Sequence, residues 1–485
     1  YRVPVRTQAG QAREIISLAV PAFLALVAEP LFLLVDSAIV GHLGTPQLAG
    51  LGVAGSVLGT AAGVFVFLAY GTTASVARAL GAGADDKVVA AGVDGTVLAI
   101  GLGTVVGVLV GFGAEWLCAA LGGTGEVLVQ AVIYLRISAI GLPAMLTMMA
   151  ITGALRGVQD TRTPLVVSLI GFPLNAVLNL ALVYGLGWGI AGSAWGTVAT
   201  QYAMAVALVA VWLVRVRRAG MAVRLHPAGV LSAAVNGVPL IVRTLALRAI
   251  LLLTTWVAAR LGEVTLAAHQ VAFTVWTLLA FALDALAIAG QALTGKGLGA
   301  ADVAGVREAT RLMVRWGVAG GAAVGLAVGL AGPLVAPLFS SDPAVRTAVV
   351  AALIVVGVGQ PIAGYVFVLD GVLIGAGDVR YLACAARSWC QAHTLPRTLQ
   401  DLQGAPIITS GAVGRQLRLS AYQGSARHEV LLEPTLISEH FPFLRSAILA
   451  GLGVGLVPDY VVQAEVASGE VLTTLDEWRL SIFGT

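Results

Sequence analysis

Apolar stretches of about 20 residues or more recur from Ile15 to Leu373, each long enough, at about 1.5 Å rise per residue, to cross a hydrocarbon layer about 30 Å thick. They read as helices, because lipid offers no partner to an unpaired backbone amide. The spans fall at 15–40, 50–76, 92–113, 127–152, 164–184, 191–214, 236–259, 265–293, 312–332 and 348–374. Only 11% of the 485 residues are charged and 58% are hydrophobic, against about 25% charged in a soluble domain. The 60 glycines are scattered through the spans, which fits close helix contact through small residues.

Basic residues cluster after even-numbered spans. Arg2, Arg6 and Arg13 precede the first span, Arg78 and Lys87 follow the second, Arg156 and Arg162 the fourth, and Arg215, Arg217, Arg218 and Arg224 the sixth. Lys296, Arg307 and Arg311 follow the eighth and Arg380 the tenth, whereas the odd-numbered connections hold almost only Arg260 and Arg346. The positive-inside rule then places both the N-terminus and the C-terminal tail in the cytoplasm of a multi-pass inner-membrane protein. The first span is too long and too well continued for a cleaved signal peptide. Cys118, Cys384 and Cys390 match no metal motif and no disulfide framework.

Shifting the chain by 218 residues aligns Pro21 with Pro239, Leu43-Gly44 with Leu261-Gly262, Arg78 with Lys296, Pro143 with Pro361, and Asp160 and Arg162 with Asp378 and Arg380. One register holds over about 140 residues. The offset covers an even number of spans, so the copies enter the membrane in the same direction, as a parallel repeat. Two spans follow Asp160-Thr161-Arg162, but none follows Asp378-Val379-Arg380. From Cys384 charged residues become frequent and no apolar run is long enough to span. The expected fold is an all-α polytopic membrane protein, a two-lobe parallel repeat of six-helix units with the second truncated to four helices, plus a partial soluble α/β tail. The domains are expected at 1–218, 219–383 and 384–485. Within the tail, strands are expected at Leu417–Tyr422 and Gly453–Val457, and helices at Phe443–Leu452 and Val461–Ala467.

Four segments over residues 15–382 resemble the multidrug and toxic compound extrusion (MATE) transporters, particularly their bacterial DNA-damage-inducible subfamily. They are Glu29-Pro30-Leu31 through Gly44, Gly71-Thr72-Thr73 through Arg78, Leu155 through Arg162, and Asp370 through Asp378. The resemblance implies twelve helices in two lobes and an aspartate at the position of Asp36 that couples transport to a cation. A second resemblance, carried by Pro396 through Leu402, Leu444 through Tyr460 and Ala467 through Leu472, is to the later half of the effector-binding domain of LysR-type regulators. The first lobe of that domain and its DNA-binding helices have no counterpart here, so no nucleic-acid partner is expected.

Asp36 lies mid-span, where an ionised carboxylate costs about 3 kcal/mol. A proton could neutralise it on one side of the membrane and leave on the other. Glu29 sits seven positions earlier on the same helical face. Asn175 and Asn179 are one turn apart on the fifth span, Thr197 and Gln201 on the sixth, and their side chains could surround Asp36 or simply join neighbouring helices. Family members with a proposed sodium site are expected to carry a carboxylate where Asn179 stands, which favours protons over sodium. Pro21 and Pro30 remove backbone hydrogen bonds from the helix carrying Asp36, so a bend there could follow protonation. In the second lobe Asp284 and Asp370 are intramembrane acids suited to cationic substrates or a second proton path. His269 reads mainly as structural. Asp160, Arg162, Asp378 and Arg380 read as loop-ordering ion pairs.

No Walker motif, metal cluster or nucleophile triad is present, so neither an enzyme nor a cofactor is expected. The leading expectation is a secondary antiporter, exchanging amphipathic organic cations for protons by alternating access between its lobes within membrane lipid. A flippase for lipid-linked precursors would show a larger, more basic cleft. A membrane-tethered ligand sensor is a second class. A third reading is a fused or chimeric product of a transporter gene and a regulator gene, with impaired transport, because the break falls inside a repeat and inside a regulator domain. Tyr1 in place of an initiating Met also suggests an excerpt.

Overall fold

The computed structural model describes residues 8–221, 227–300, 302–376, 381–410, 416–423, 426–438 and 441–481. Asp378, Val379 and Arg380 lie outside them, as does the side chain of Glu29. The chain divides into two compact units, one holding residues 1–296 and 304–377, the other 297–303 and 378–485.

The first unit is helical. Its helices are α1 (Gln8–Gly41), α2 (Thr45–Phe65), α3 (Phe67–Gly81), α4 (Asp85–Ala120), α5 (Gly125–Ala139), α6 (Leu142–Gly157), α7 (Arg162–Leu180), α8 (Gly189–Arg218), α9 (Pro227–Arg260), α10 (Glu263–Gly299), α11 (Val303–Phe339) and α12 (Pro343–Ala376). Among the described residues nine helices or helix pairs are long and apolar enough to cross a membrane, and the pair α5 and α6, bent by 51°, makes a tenth. Each expected span lies within one of them. The bend falls at Ile140-Gly141, just before Pro143, whose ring cannot continue the preceding helix. The Ile140 carbonyl freed there accepts a bond from the Tyr202 hydroxyl at 2.9 Å. One π-helical turn at Ala181–Gly185 ends α7.

The first lobe packs through two apolar clusters. One joins Val40, Leu51, Phe67, Leu135 and Leu146; the other joins Val88, Ile151, Leu155, Leu208 and Trp212. The amino-terminal half of α1 belongs elsewhere: Ile15 and Leu18 pack on Ala289, Met313 and Val368, and Ala22 on Ala285 and Ile288. Hence α1 bridges the lobes, running continuously through Pro21 and Pro30. In the second lobe α11 and α12 meet backbone to backbone. A Cβ at Gly317, Gly321 or Gly325 would strike the carbonyl of Gly364, Gln360 or Gly357 respectively, so this seam exists only because those three positions lack one.

Two basic residues related by the 218-residue register clasp the lobes at one end. Arg78 Nη1 donates to the carbonyl of Ala376, the last residue of α12, at 2.7 Å. Lys296 Nζ donates to Gln159 Oε1, just past the end of α6, at 2.6 Å and reaches Glu14 Oε1 at 3.5 Å. Gln159 is left-handed, with φ 63°, a conformation that costs a non-glycine residue about 1 kcal/mol or more. Its repeat counterpart is Gly377. Asp160 bonds the Thr163 amide at 2.9 Å and Arg215 at 2.8 Å. Its ionic partner is therefore Arg215 on α8, not the neighbouring Arg162. Burial alone pushes its carboxyl up, but the Thr163 and Arg215 bonds outweigh that and hold it below the usual range.

The second unit builds one sheet in the order β4-β3-β8-β1-β6-β2-β5 from β1 (Tyr381–Ala386), β2 (Ile407–Thr409), β3 (Leu417–Gln423), β4 (Ala426–Leu432), β5 (Leu436–Ile437), β6 (Val454–Pro458), β7 (Val471–Thr474) and β8 (Arg479–Ser481), with β7 paired to β1. Helices α13 (Arg387–Ala392), α14 (Phe441–Leu449) and α15 (Gln463–Ser468) accompany it. The sheet opens at Tyr381, ahead of the composition change at Cys384. Tyr-Leu-Ala-Cys-Ala-Ala is as apolar as the preceding span and carries no charge to mark the boundary. A core of Trp389, Leu402, Ile407, Leu419 and Leu456 and another of Ile408, Leu444, Ile448 and Val457 fill it.

Candidate functional site

Asp36 on α1 is 3% exposed, with Asn175, Asn179 and Ser193 equally buried around it. Its Oδ1 accepts two bonds, from Asn179 Nδ2 at 2.7 Å and from Ser193 Oγ at 2.7 Å. Its Oδ2 accepts one, from the Tyr134 hydroxyl at 3.3 Å. Asn179 Nδ2 also donates to Asn175 Oδ1 at 2.9 Å, and Asn175 Nδ2 donates to Thr197 Oγ1 at 3.2 Å. A polar chain thus runs from α8 through α7 to the carboxylate on α1. Asn175 and Asn179, four residues apart, present both amides to one face. Close packing completes the pocket, for a Cβ at Gly196 would strike Asn179 Oδ1. That oxygen is buried and takes no hydrogen bond.

Sequence reasoning brought Asn175, Asn179 and Thr197 to this place and missed Ser193 and Tyr134, two of the three residues that touch the carboxylate. Gln201 lies one turn beyond Thr197, its Oε1 against Gly141 at the α5–α6 bend, and does not bond Asp36. Pro30 lies within the helix that presents Asp36, between it and the lobe-bridging half of α1. The Phe32 ring stacks on Phe172 of α7 at 4.9 Å, fixing that stretch of α1 to the first lobe. His269 bonds Thr255 at 3.1 Å, away from the carboxylate pocket.

The acids of the second lobe are matched by arginines. Asp370 on α12 forms a two-pronged pair with Arg243 on α9, with Nε to Oδ1 at 2.9 Å and Nη2 to Oδ2 as the second prong. Asp284 on α10 lies within electrostatic reach of Arg156, Arg243 and Asp370. Nearby, Gln291 Nε2 donates to the Tyr70 carbonyl across the lobes at 2.5 Å. Arg243 was not among the expected site residues, although a guanidinium at mid-membrane is as expensive as a carboxylate and marks the sequence as plainly.

Among the described residues no group of three or more His, Cys, Asp or Glu is placed to hold a metal. The arrangement suits reversible binding of a small cation at one carboxylate. Nothing in it resembles a nucleophile with its base.

Residues 21–181 and 239–387 match the MatE family, and residues 374–485 match the LysR substrate binding domain family. The chain is 32% identical to Protein DETOXIFICATION 44, chloroplastic, of Arabidopsis thaliana over 382 residues, covering 76% of this chain and 73% of that one. It is 31% identical to DNA damage-inducible protein F of Escherichia coli over 295 residues, 59% of this chain and 63% of that one. The tail is 25% identical over 101 residues to a probable HTH-type transcriptional regulator LtrA of Klebsiella pneumoniae, covering 21% of this chain and 33% of that one. A crystal structure of MATE in the bent conformation shares the fold with a TM-score of 0.70 at 22% identity, covering 76% of this chain and 83% of that one.

Proposed function

We propose that this chain, which belongs to the MatE family of membrane transporters, is a secondary antiporter in which Asp36 is the cation-coupling group and the cation is a proton. The observation that carries the reading is the pocket itself: a carboxylate, 3% exposed, is held by Asn179, Ser193 and Tyr134, all neutral, and no described basic side chain bonds it. A charge so placed is costly in a membrane interior, so a mobile cation must balance it in some part of the cycle. Oδ1 already accepts two short bonds, whereas Oδ2 accepts only the long one from Tyr134, and Oδ2 is therefore the atom open to a proton. Sodium would need several oxygen ligands, and among the described residues Asp36 is the one carboxylate bonded into this pocket, with its Oδ1 already taken by two donors.

Export would proceed by alternating access between lobes joined through α1 and through the Arg78 and Lys296 clasp. Substrates would be amphipathic organic cations, and the setting the inner membrane with both termini cytoplasmic. In proteoliposomes with an imposed proton gradient, Asp36→Asn is expected to abolish gradient-driven efflux while dye binding persists. Undiminished proton-dependent efflux by a correctly inserted Asp36→Asn protein would refute the assignment.

A further inference from the structure

Helix α9 ends on Arg260 and carries two further arginines, Arg243 and Arg248, whose surroundings differ. Arg243 faces the second lobe and is matched by Asp370. Gly237, Ile241, Thr244 and Arg248 recur at helical spacing and form the stripe that faces the first lobe. Gly237 lies against Phe67, Ile241 packs on the first-lobe core, Thr244 is 9% exposed, and the guanidinium of Arg248 lies on Gly63 of α2. Gly63 is the midpoint of the α2–α3 span, 18 residues from Thr45 and 18 from Gly81. Arg248 stands twelve residues before the end of α9, about 18 Å along the helix axis. It is exposed, and no described carboxylate bonds it.

A guanidinium at this depth is costly unless it meets water or an anion, and Gly63 leaves room for it that a side chain there would take. Asp284 lies within electrostatic reach of Arg156 and Arg243, and Asp370 pairs with Arg243. Both acids therefore answer arginines other than Arg248, which has no bonded carboxylate among the described residues. A planar fork of N–H donors recognises a carboxylate through two parallel bonds.

We propose that Arg248 is a substrate-binding residue and that the inter-lobe cleft selects amphiphiles bearing a carboxylate, which Arg248 grips against Gly63. This deepens the transport reading and rests on it for the role of the cleft, but binding can be measured apart from transport. Rhodamine B, which carries a free carboxylate, and its ethyl ester, which does not, are titrated by fluorescence against the full chain in nanodiscs. The native protein is expected to bind rhodamine B about tenfold more tightly than the ester. Arg248→Gln should remove that preference; Arg248→Lys, which keeps charge without the fork, should retain part of it. Equal affinity of the native protein for the two dyes overturns the proposal without need of a variant, and so does a preference that survives in Arg248→Gln. Failure of a proton gradient to drive either dye across vesicles, with the binding preference intact, counts against the antiporter reading and leaves the role of Arg248 standing.

Discussion

Removing both halves of the repeat-related clasp should open the end of the bundle that it closes. Arg78 contributes a charged donor to the Ala376 carbonyl at 2.7 Å, where the end of the α12 dipole adds to the attraction. Lys296 contributes one to Gln159 at 2.6 Å with Glu14 beyond. The Lys296 and Glu14 side chains are 30% and 26% exposed, so water weakens each bond, and about 1.5 kcal/mol apiece is a fair measure. Their joint loss is then about 3 kcal/mol, or roughly a hundredfold in the ratio of open to closed forms, and each single loss roughly tenfold. The reporter is Ala74→Cys on α3, 4% exposed and beside Gly295 at the seam, in a background with Cys118, Cys384 and Cys390 changed to Ala. Maleimide labelling in nanodiscs should accelerate by those factors in Arg78→Ala, Lys296→Ala and the double variant, with Arg136→Ala on α5 as a control that changes nothing. A labelling rate in the double variant within threefold of the parent would refute the reasoning.

Gly196→Ala places a methyl against Asn179 Oδ1; losing the Asn179 bond to the charged carboxylate, about 1.5–3 kcal/mol, should cut proton-driven efflux by about tenfold or more, while Gly59→Ala, with open space around it, leaves it unchanged. Gly325→Ala drives a methyl into the Gly357 carbonyl and should destabilise the second lobe by about 1–3 kcal/mol, seen as earlier thermal loss of the monodisperse peak in detergent, whereas Gly329→Ala meets nothing and should be neutral. In the tail, burial alone pushes Glu465 up, yet its bonds to Arg445, Nε at 2.8 Å among them, outweigh this and hold the carboxyl below its usual range. A depressed carboxyl stabilises above its ordinary value and loses that contribution as pH falls through the folded one. Protection factors at β6, the intrinsic exchange rate divided by the observed rate at the same pH, should therefore fall on acidification below about pH 4.5 more steeply in the native chain than in Glu465→Gln, and parallel pH profiles would count against the pair.

The ten spans and the repeat were legible because lipid imposes a length and a polarity that composition cannot disguise. Asp36 was legible for the same reason, as a carboxylate where none is cheap. Ser193 and Tyr134 were not, since hydroxyls are common in membrane helices and their role depends on how α5 and α8 lean toward α1. Arg243 and Arg248 carry a signal as strong as that of Asp36, a charge inside an apolar span. Strand β1 escaped because an uncharged Tyr-Leu-Ala-Cys-Ala-Ala continues the apolar text of α12, and only its pairing with β6 and β7 identifies it.

At the register position of Asp36 the second copy has Thr254, whose hydroxyl bonds back to its own helix at Leu251, and at that of Arg248 the first copy has Pro30. The two copies share a register but not these residues, and the roles proposed for Asp36 and Arg248 divide the work between them. A population selected on a new drug should accumulate its changes along α9 to α12, where a substitution alters what is gripped, and should spare α1, α7 and α8, where the same substitution would stop the engine for every cargo at once.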